Sequence, residues 1–284
     1  MFDWESAIGE NRIAQNLYWT RQLNLWVGCD KCSPGCLNCW APREVPRFHA
    51  DMRGIVKRGP DNLLTWTGEI QFNNHAWHIL SERAKQWQAK RKLKPVVWFV
   101  CVRSDFFHDA INTEDIDRAL GMIGACTGDM FLILTKRPQN IAEKMFASTE
   151  RNPCRELGGG DYLPNVLLGV TIENQEKADE RVVALRTSGW MGRVWLSIEP
   201  MLEEIQLRYR HWTLTSCHNN RNFDFVVVGG ESGSHARPMN PDWARRIRDD
   251  CKAASVPFFM KQMSGKQPIP DDLNIREWPE VNNA

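Results

Sequence analysis

What this chain lacks narrows it before any motif is read. Among its 284 residues, 36 basic against 35 acidic side chains leave a formal net charge of +1. No bulk field is present to hold nucleic acid or anionic lipid, so any such contact has to come from a local patch. No unbroken apolar stretch approaches the ~20 residues needed to cross a bilayer, and no membrane partner is expected. The opening MFDWESAIGENRIAQNLYW lacks the basic flank, apolar run and small-residue cleavage site of a secretory signal. The expected location is the cytoplasm. Compositional bias is absent too: with 42% hydrophobic and 25% charged residues, the chain is not mostly disordered, collagen-like or a coiled coil.

Cysteine, by contrast, is plentiful. Nine are present, and an odd count in a reducing compartment argues against a disulfide framework. Cys101, Cys126, Cys154, Cys217 and Cys251 are scattered singly and read as small buried hydrophobes. The other four crowd into eleven residues, in GCDKCSPGCLNCWAP, after the short apolar segment Asn24 to Val27. Pro34 and Gly35 interrupt them, which places them on a loop leaving a strand.

Beyond this loop, strand-like runs alternate with helix-like ones. GEIQF (68–72), VVWFVCV (96–102), MFLILTK (130–136), NVLLGVTI (165–172), RVWLSI (193–198), FDFVVVGG (223–230) and PFFMK (257–261) are β-branched or aromatic-rich, and several are apolar throughout, as strands covered on both faces must be. Between them lie HAWHILSERAKQWQAKRK, TEDIDRALGMIGA, NQEKADERVVALRT and PDWARRIRDDCKAAS, whose apolar residues recur at helical spacing. Thr113 before Glu114 and Asp115, and Asn240 before Pro241 and Asp242, suit capped first turns. A sixth helix over MLEEIQLRYRHW is the weakest element, and SCHNNRN after it reads as an exposed loop. Counting Asn24–Val27 as the first, about eight strands result. The expected fold is α/β: a single (β/α)8 TIM-type barrel domain over residues 1–284, closed or partly open, with an open doubly wound sheet as the alternative.

Polar residues follow almost every strand-like run: Arg103, Ser104 and Asp105; Lys136 and Arg137; Glu173 and Asn174; Ser197 and Glu199; Gly229, Gly230 and Glu231; Lys261 and Gln262. In a parallel barrel these ends converge on one face, where active sites are built.

The cysteine spacing itself carries chemistry. Cys32, Cys36 and Cys39 form CxxxCxxC, and Cys29 with the last two forms CxxxxxxCxxC. Three thiolates on a short loop can hold three irons of a 4Fe-4S cluster and leave the fourth open. CxxxCxxC after the first strand of a barrel marks enzymes that cleave S-adenosyl-L-methionine reductively to a 5'-deoxyadenosyl radical, with the electron coming from an external donor. Two rivals remain. One is a ferredoxin-like electron-transfer site, whose run of gaps differs and has proline where Trp40 stands here. The other is a zinc-stabilised nucleic-acid-binding module, although only Ser33, Pro34 and Gly35 separate the two CxxC pairs and zinc ribbons space theirs by about 15–20 residues.

In order along the chain, GCDKCSPGCLNCWA, RSDFFH, LTKRP, LGVTIENQ, SIEPML, VVVGGESG, ARPMNPDWARRIRDDC and VPFFMKQM resemble a phage-associated family known by the phage gene products thirty-seven and sixty-eight. That family is similar to radical S-adenosylmethionine enzymes. The resemblance spans almost the whole chain. It implies a radical S-adenosylmethionine enzyme with Cys29, Cys36 and Cys39 as iron ligands, Cys29 being the cysteine after glycine; the better-known spacing instead selects Cys32. Many radical enzymes bind the methionine amino group through GGE at the end of strand two, where this chain has Gln71, Phe72 and Asn73. Its own Gly229-Gly230-Glu231 comes much later and does not take that role by spelling alone.

S-adenosylmethionine needs acceptors for its amino group and ribose, a cation or polar donor for its carboxylate, and an apolar surface for adenine. Ser104, Asp105, Lys136, Arg137, Glu173, Asn174, Ser197 and Glu199 supply the polar types. Thirteen tryptophans are unusual; most read as core, and any exposed beside Lys57, Arg58 or the basic segment Lys85 to Lys94 would suit stacking on nucleic acid. A nucleobase or nucleotide is the expected target. His75, His78, His108 and His235 form no HxxxH or HxH pair, so a second metal is not expected and they read as surface residues.

Overall fold

A computed structural model describes residues 1–49, 52–146, 163–209, 212–213, 222–233 and 235–281. Cys154, Cys217 and most of SCHNNRN lie outside the described residues. Seven strands form one sheet: β1 (Arg21–Leu23), β2 (Val97–Val100), β3 (Met130–Thr135), β4 (Val166–Thr171), β5 (Arg193–Ile198), β6 (Phe225–Gly229) and β7 (Phe258–Gln262). Each pairs in parallel with the next in chain order. This sequential parallel winding curls into a partial TIM-like barrel.

The strands from β2 onward are apolar on both sides because both sides are buried. Alternate residues Trp98, Phe131, Leu168, Leu196, Val226 and Phe258 join an outer layer with Ile116, Leu120, Val182, Leu185 and Ile247. These last five come from the crossover helices Thr113–Ala125, Gln175–Thr187 and Pro241–Ala254. The intervening residues Phe99, Leu132, Leu167, Trp195, Val227 and Phe259 face the barrel interior with Trp4, Ile8 and Tyr18. Such alternation follows from the period of two along a strand. Trp195 fits inside because Gly169 opposite has no side chain: a Cβ there would stand 2.5 Å from the indole.

Three expectations are corrected. Asn24–Val27 is not a barrel strand; the sheet begins earlier, at Arg21–Leu23. Gln71–Phe72, all that GEIQF contributes, pairs antiparallel with Trp26–Val27 outside the sheet. The reason is steric and topological. Residues 68–72 pack against Gly28 so closely that a Cβ there would lie 2.0 Å from the Glu69 carbonyl oxygen, and β1 already pairs β2 directly, with Gln22 opposite Phe99. Among the described residues the barrel sheet therefore has seven strands rather than eight. The sixth helix is also missing: residues 201–207 are non-helical, and Arg208–Tyr209 pairs antiparallel with Trp212–Thr213. Helix starts read better. Asn240 caps its helix, Asn174 caps the one at Gln175, and Asn112, one residue before the expected Thr113, caps the third.

The free edge of β7 is occupied by the chain's last segment. Met260 N–H donates to Ile275 O at 3.0 Å and Glu277 N–H to Phe258 O at 3.0 Å, and Trp278 stacks on Trp4. No helix among the described residues is long and apolar enough to cross a membrane.

Candidate metal and cofactor site

The carboxyl ends of the strands surround a cavity of about 210 Å³. All four clustered cysteines line it, together with Trp19, Trp40, Trp66, Phe99, Ser104, Asp105, Lys136, Arg137, Ser197, Glu199 and Lys261. Strand-end residues distant in sequence thus meet the cysteine loop in one place, as a parallel barrel dictates.

The loop is pinned from both sides. Gly35 N–H donates to Glu173 Oε1 at 3.3 Å, and Glu173 is held by Arg181 at 2.8 Å. Across the cavity, Glu231 accepts from Asn38 Nδ2 at 3.0 Å and from Arg237 N–H at 2.7 Å and pairs with the Arg237 guanidinium, which also donates to Pro34 O at 2.9 Å. Both carboxyls sit below the usual glutamate range: burial opposes ionisation, and their cationic and hydrogen-bonding partners overcome it. Gly35 lets the loop approach closely: a Cβ would stand 3.0 Å from the Glu173 carboxyl carbon and would press the clamp outward.

Burial, followed by the Asp105 carboxylate, pushes the Cys29 thiol up to about 12. Cys36 is pulled down to about 5, chiefly by a hydrogen bond from Cys32, whose Sγ lies 4.0 Å away and whose own value rises through that bond. Burial also raises Cys39, against a hydrogen bond from the Ala41 N–H. Thiols gathered at one cavity, three of them half-buried and one exposed, are a donor set that fits an iron-sulfur cluster, for which thiolate is the preferred ligand.

The expected cofactor residues divide. Ser104 Oγ is buried without a partner, and Lys136 forms no ion pair among the described residues. Ser197 Oγ donates to Glu199 Oε2 at 3.1 Å, and Glu199 is also met by Tyr18 OH at 2.9 Å and Lys261 at 2.7 Å. Asp105 is already used: it accepts from Thr135 Oγ1 at 2.6 Å, Lys136 N–H at 2.9 Å and Phe107 N–H at 3.0 Å, and pairs with Arg137. Arg137 is shared among Asp30, Asp105 and Asp109; burial works against its charge, and Asp105, the Cys29 and Cys32 sulfurs and Asp30 more than restore it. Glu173 is fully buried in its clamp and is not on the cavity wall, and Asn174 spends its side chain on capping through Lys177 N–H at 2.9 Å.

His108 is not a surface residue. It is buried, with Nε2 2.8 Å from Asp30 and Nδ1 accepting from Ala110 N–H at 3.2 Å. An accepting Nδ1 leaves the proton on Nε2 in the neutral ring, directed at Asp30 beside Cys29. Cys29, Asp30 and His108 bring their ligand atoms within 4.8 Å of one another. Asp30, Asn38 and Arg237 are also absent from the sequence expectations; no local spelling separates them from ordinary loop polar residues. Trp40 is the exposed tryptophan among the described residues, and Trp87, within the basic segment Lys85–Lys94, is half-buried with the Arg83 guanidinium 5.6 Å from its ring centre.

A family model described as "Protein of unknown function (DUF5131)" matches residues 14–274. The chain belongs to the DUF5131 family. No curated protein matches this DUF5131 chain. Among solved structures it is similar to that of a spore photoproduct lyase mutant with bound AdoMet and dinucleoside spore photoproduct, at 12% identity and a TM-score of 0.40, over 81% of this chain and 60% of that one. The DUF5131 chain thus spans less than two thirds of that protein's length.

Proposed function

We propose that this protein is a radical S-adenosylmethionine enzyme, a single domain in which Cys29, Cys36 and Cys39 hold a 4Fe-4S cluster. One observation carries the reading: four thiols on one clamped loop share a cavity with uncommitted polar groups at the carboxyl ends of a parallel half-barrel. Bound there, the cluster supplies an electron from an external donor for reductive cleavage of S-adenosylmethionine. The chain's own residues bind and orient. Lys136 offers a charge for the methionine carboxylate, Ser104 Oγ a free hydroxyl, Glu199 an acceptor, and Val100, Val102, Leu134 and Phe99 an apolar wall for adenine. Cys29 is chosen over Cys32 because it is the more buried of the two and lies against the Arg137–Asp30–His108 network, whereas Cys32 is exposed.

A second reading has its own support. The 4.0 Å between Cys32 and Cys36 Sγ is close to the edge of a tetrahedral zinc–thiolate site, about 3.8 Å for Zn–S bonds near 2.3 Å. Anaerobic purification from iron-replete cells decides between them. The expected product is brown protein with about four irons per chain, releasing 5'-deoxyadenosine and methionine once a strong reductant and S-adenosylmethionine are added. Stoichiometric zinc without iron sinks the proposal; iron without cleavage leaves an electron carrier. Cys32→Ser should retain the cluster.

A further inference from the structure

Charge around the cavity is unevenly balanced. Arg137 meets three carboxylates and Lys261 meets Glu199 at 2.7 Å. Lys136 has no ion pair among the described residues, and Arg103 has one loose contact, Glu44 at 3.6 Å. Arg103 is the more informative of the two. It is only 8% exposed, its NH1 donates to Gln22 Oε1 at 2.7 Å, and its Nε–H finds no acceptor. Burial depresses its pKa because Glu44 compensates the desolvated charge incompletely. A buried charged donor left unmet is costly, and binding sites are where a fold tolerates it.

The surroundings fix this arginine and give it aromatic neighbours. Its backbone N–H donates to Asn24 Oδ1 at 3.0 Å and its carbonyl accepts from Gly28 N–H at 3.0 Å, which fixes the main chain, and Gln22 then holds the guanidinium through NH1 before any ligand arrives. It lies 5.9 Å from the Trp40 ring centre and 5.0 Å from that of Phe48, both exposed. A planar guanidinium with free N–H groups matches phosphate in shape and charge. Lys136 acts electrostatically on Cys36 and Cys39 and so belongs to the cysteine side of the cavity. On the proposed function, which this inference rests on, the methionine carboxylate takes Lys136 and leaves Arg103 without an anion.

We propose that Arg103 is the anion subsite for the substrate and that the substrate is a nucleoside phosphate, with its phosphate on Arg103 and its base against Trp40. The unmet Nε–H supplies the first half of this assignment and the exposed indole face the second, since any base can stack on it.

The test is equilibrium binding of nucleoside monophosphates, the matching nucleosides and short single-stranded oligonucleotides to anaerobic holoprotein with S-adenosylmethionine and no reductant. A monophosphate or the oligonucleotide should bind about tenfold or more tightly than the nucleoside, and added salt should erode the difference. Preference for the oligonucleotide places the phosphate in a polymer, and preference for the monophosphate in a free nucleotide; both fit the assignment. Arg103→Gln should abolish the phosphate preference while leaving nucleoside affinity, and Arg103→Lys should retain part of it. Equal affinity for phosphorylated and unphosphorylated ligands in the wild type overturns the proposal, a comparison that stands even if the variants do not fold. Weakened S-adenosylmethionine binding in Arg103→Gln, with nucleotide binding intact, also overturns it. No cleavage is needed, so a failed radical assay and a failed phosphate preference are read separately.

Discussion

Two buried polar centres at opposite ends of the half-barrel differ in how completely they are bonded. At the amino-terminal end Asp129, fully buried, receives Arg83 Nε and NH2 at 2.7 Å each, Val96 N–H at 3.0 Å and Trp98 Nε1 at 3.0 Å. Below the cavity, Tyr18, Trp195, Phe225 and Phe259 fill the interior edge to face. At the carboxyl end, Ser104 Oγ and Arg103 Nε are buried without partners, and Lys136 forms no ion pair among the described residues. The same strands that complete every bond of Asp129 at one end leave bonds open at the other. The completed Asp129 centre stabilises the fold, and the open centre is available for binding.

The largest effect that would sharpen this contrast is Cys36→Ser, at the open end. Iron content should fall to near zero, while the fold, read by circular dichroism, persists. Next comes Asp129→Ala at the closed end, which strands the Arg83 charge. It should cost about 3–5 kcal/mol in urea unfolding, with the iron-to-protein ratio of the surviving folded fraction unchanged. If Asp129→Ala instead stripped iron without loss of stability, the division between the two ends would fail. The smallest effect is at the clamp. Glu231 has a folded pKa below its ordinary 4.5, so its contribution is present above that value and is lost as pH falls through the lower folded value. Wild-type holoprotein should therefore release iron faster on acidification in that window, and Glu231→Gln should show the faster release already at neutral pH. A pH profile identical in wild type and variant would remove Glu231 from loop positioning.

Much of the closed end can be read from the residues. RVWLSI is a strand to the residue, and MFLILTK and NVLLGVTI are strands to within a residue at either end, because segments buried on both faces are largely apolar. Asn240 is legible as a cap because Pro241 and Asp242 follow it. GEIQF misleads because a short run ending in Ile, Gln and Phe is spelled alike in a barrel strand and in a two-residue antiparallel pairing; contact with Gly28 decides between them, and that contact is tertiary. At the open end the cysteines announce themselves by spacing. The roles of Arg103 and Arg137 do not: each is an arginine just after a strand, and the difference lies in how Asp30, Asp105 and Asp109 are shared out in space. The Gly-Gly-Glu spelling says nothing of what Glu231 does, whereas its neighbours Asn38 and Arg237 give it a mechanical part.

The tail that runs along β7 bears on how the chain behaves in crowded solution. An unclosed sheet exposes a row of N–H and C=O groups that can template pairing with another molecule. Ile275 to Glu277 occupy that row on β7, and Trp278 against Trp4 ties the segment to the start of the chain. Removing the residues after Leu273 would touch no cysteine and no cavity residue, yet it would uncover an apolar β-edge containing Phe258, Phe259 and Met260. Such a truncated protein should aggregate during refolding at concentrations where the full chain stays monodisperse, as light scattering would record.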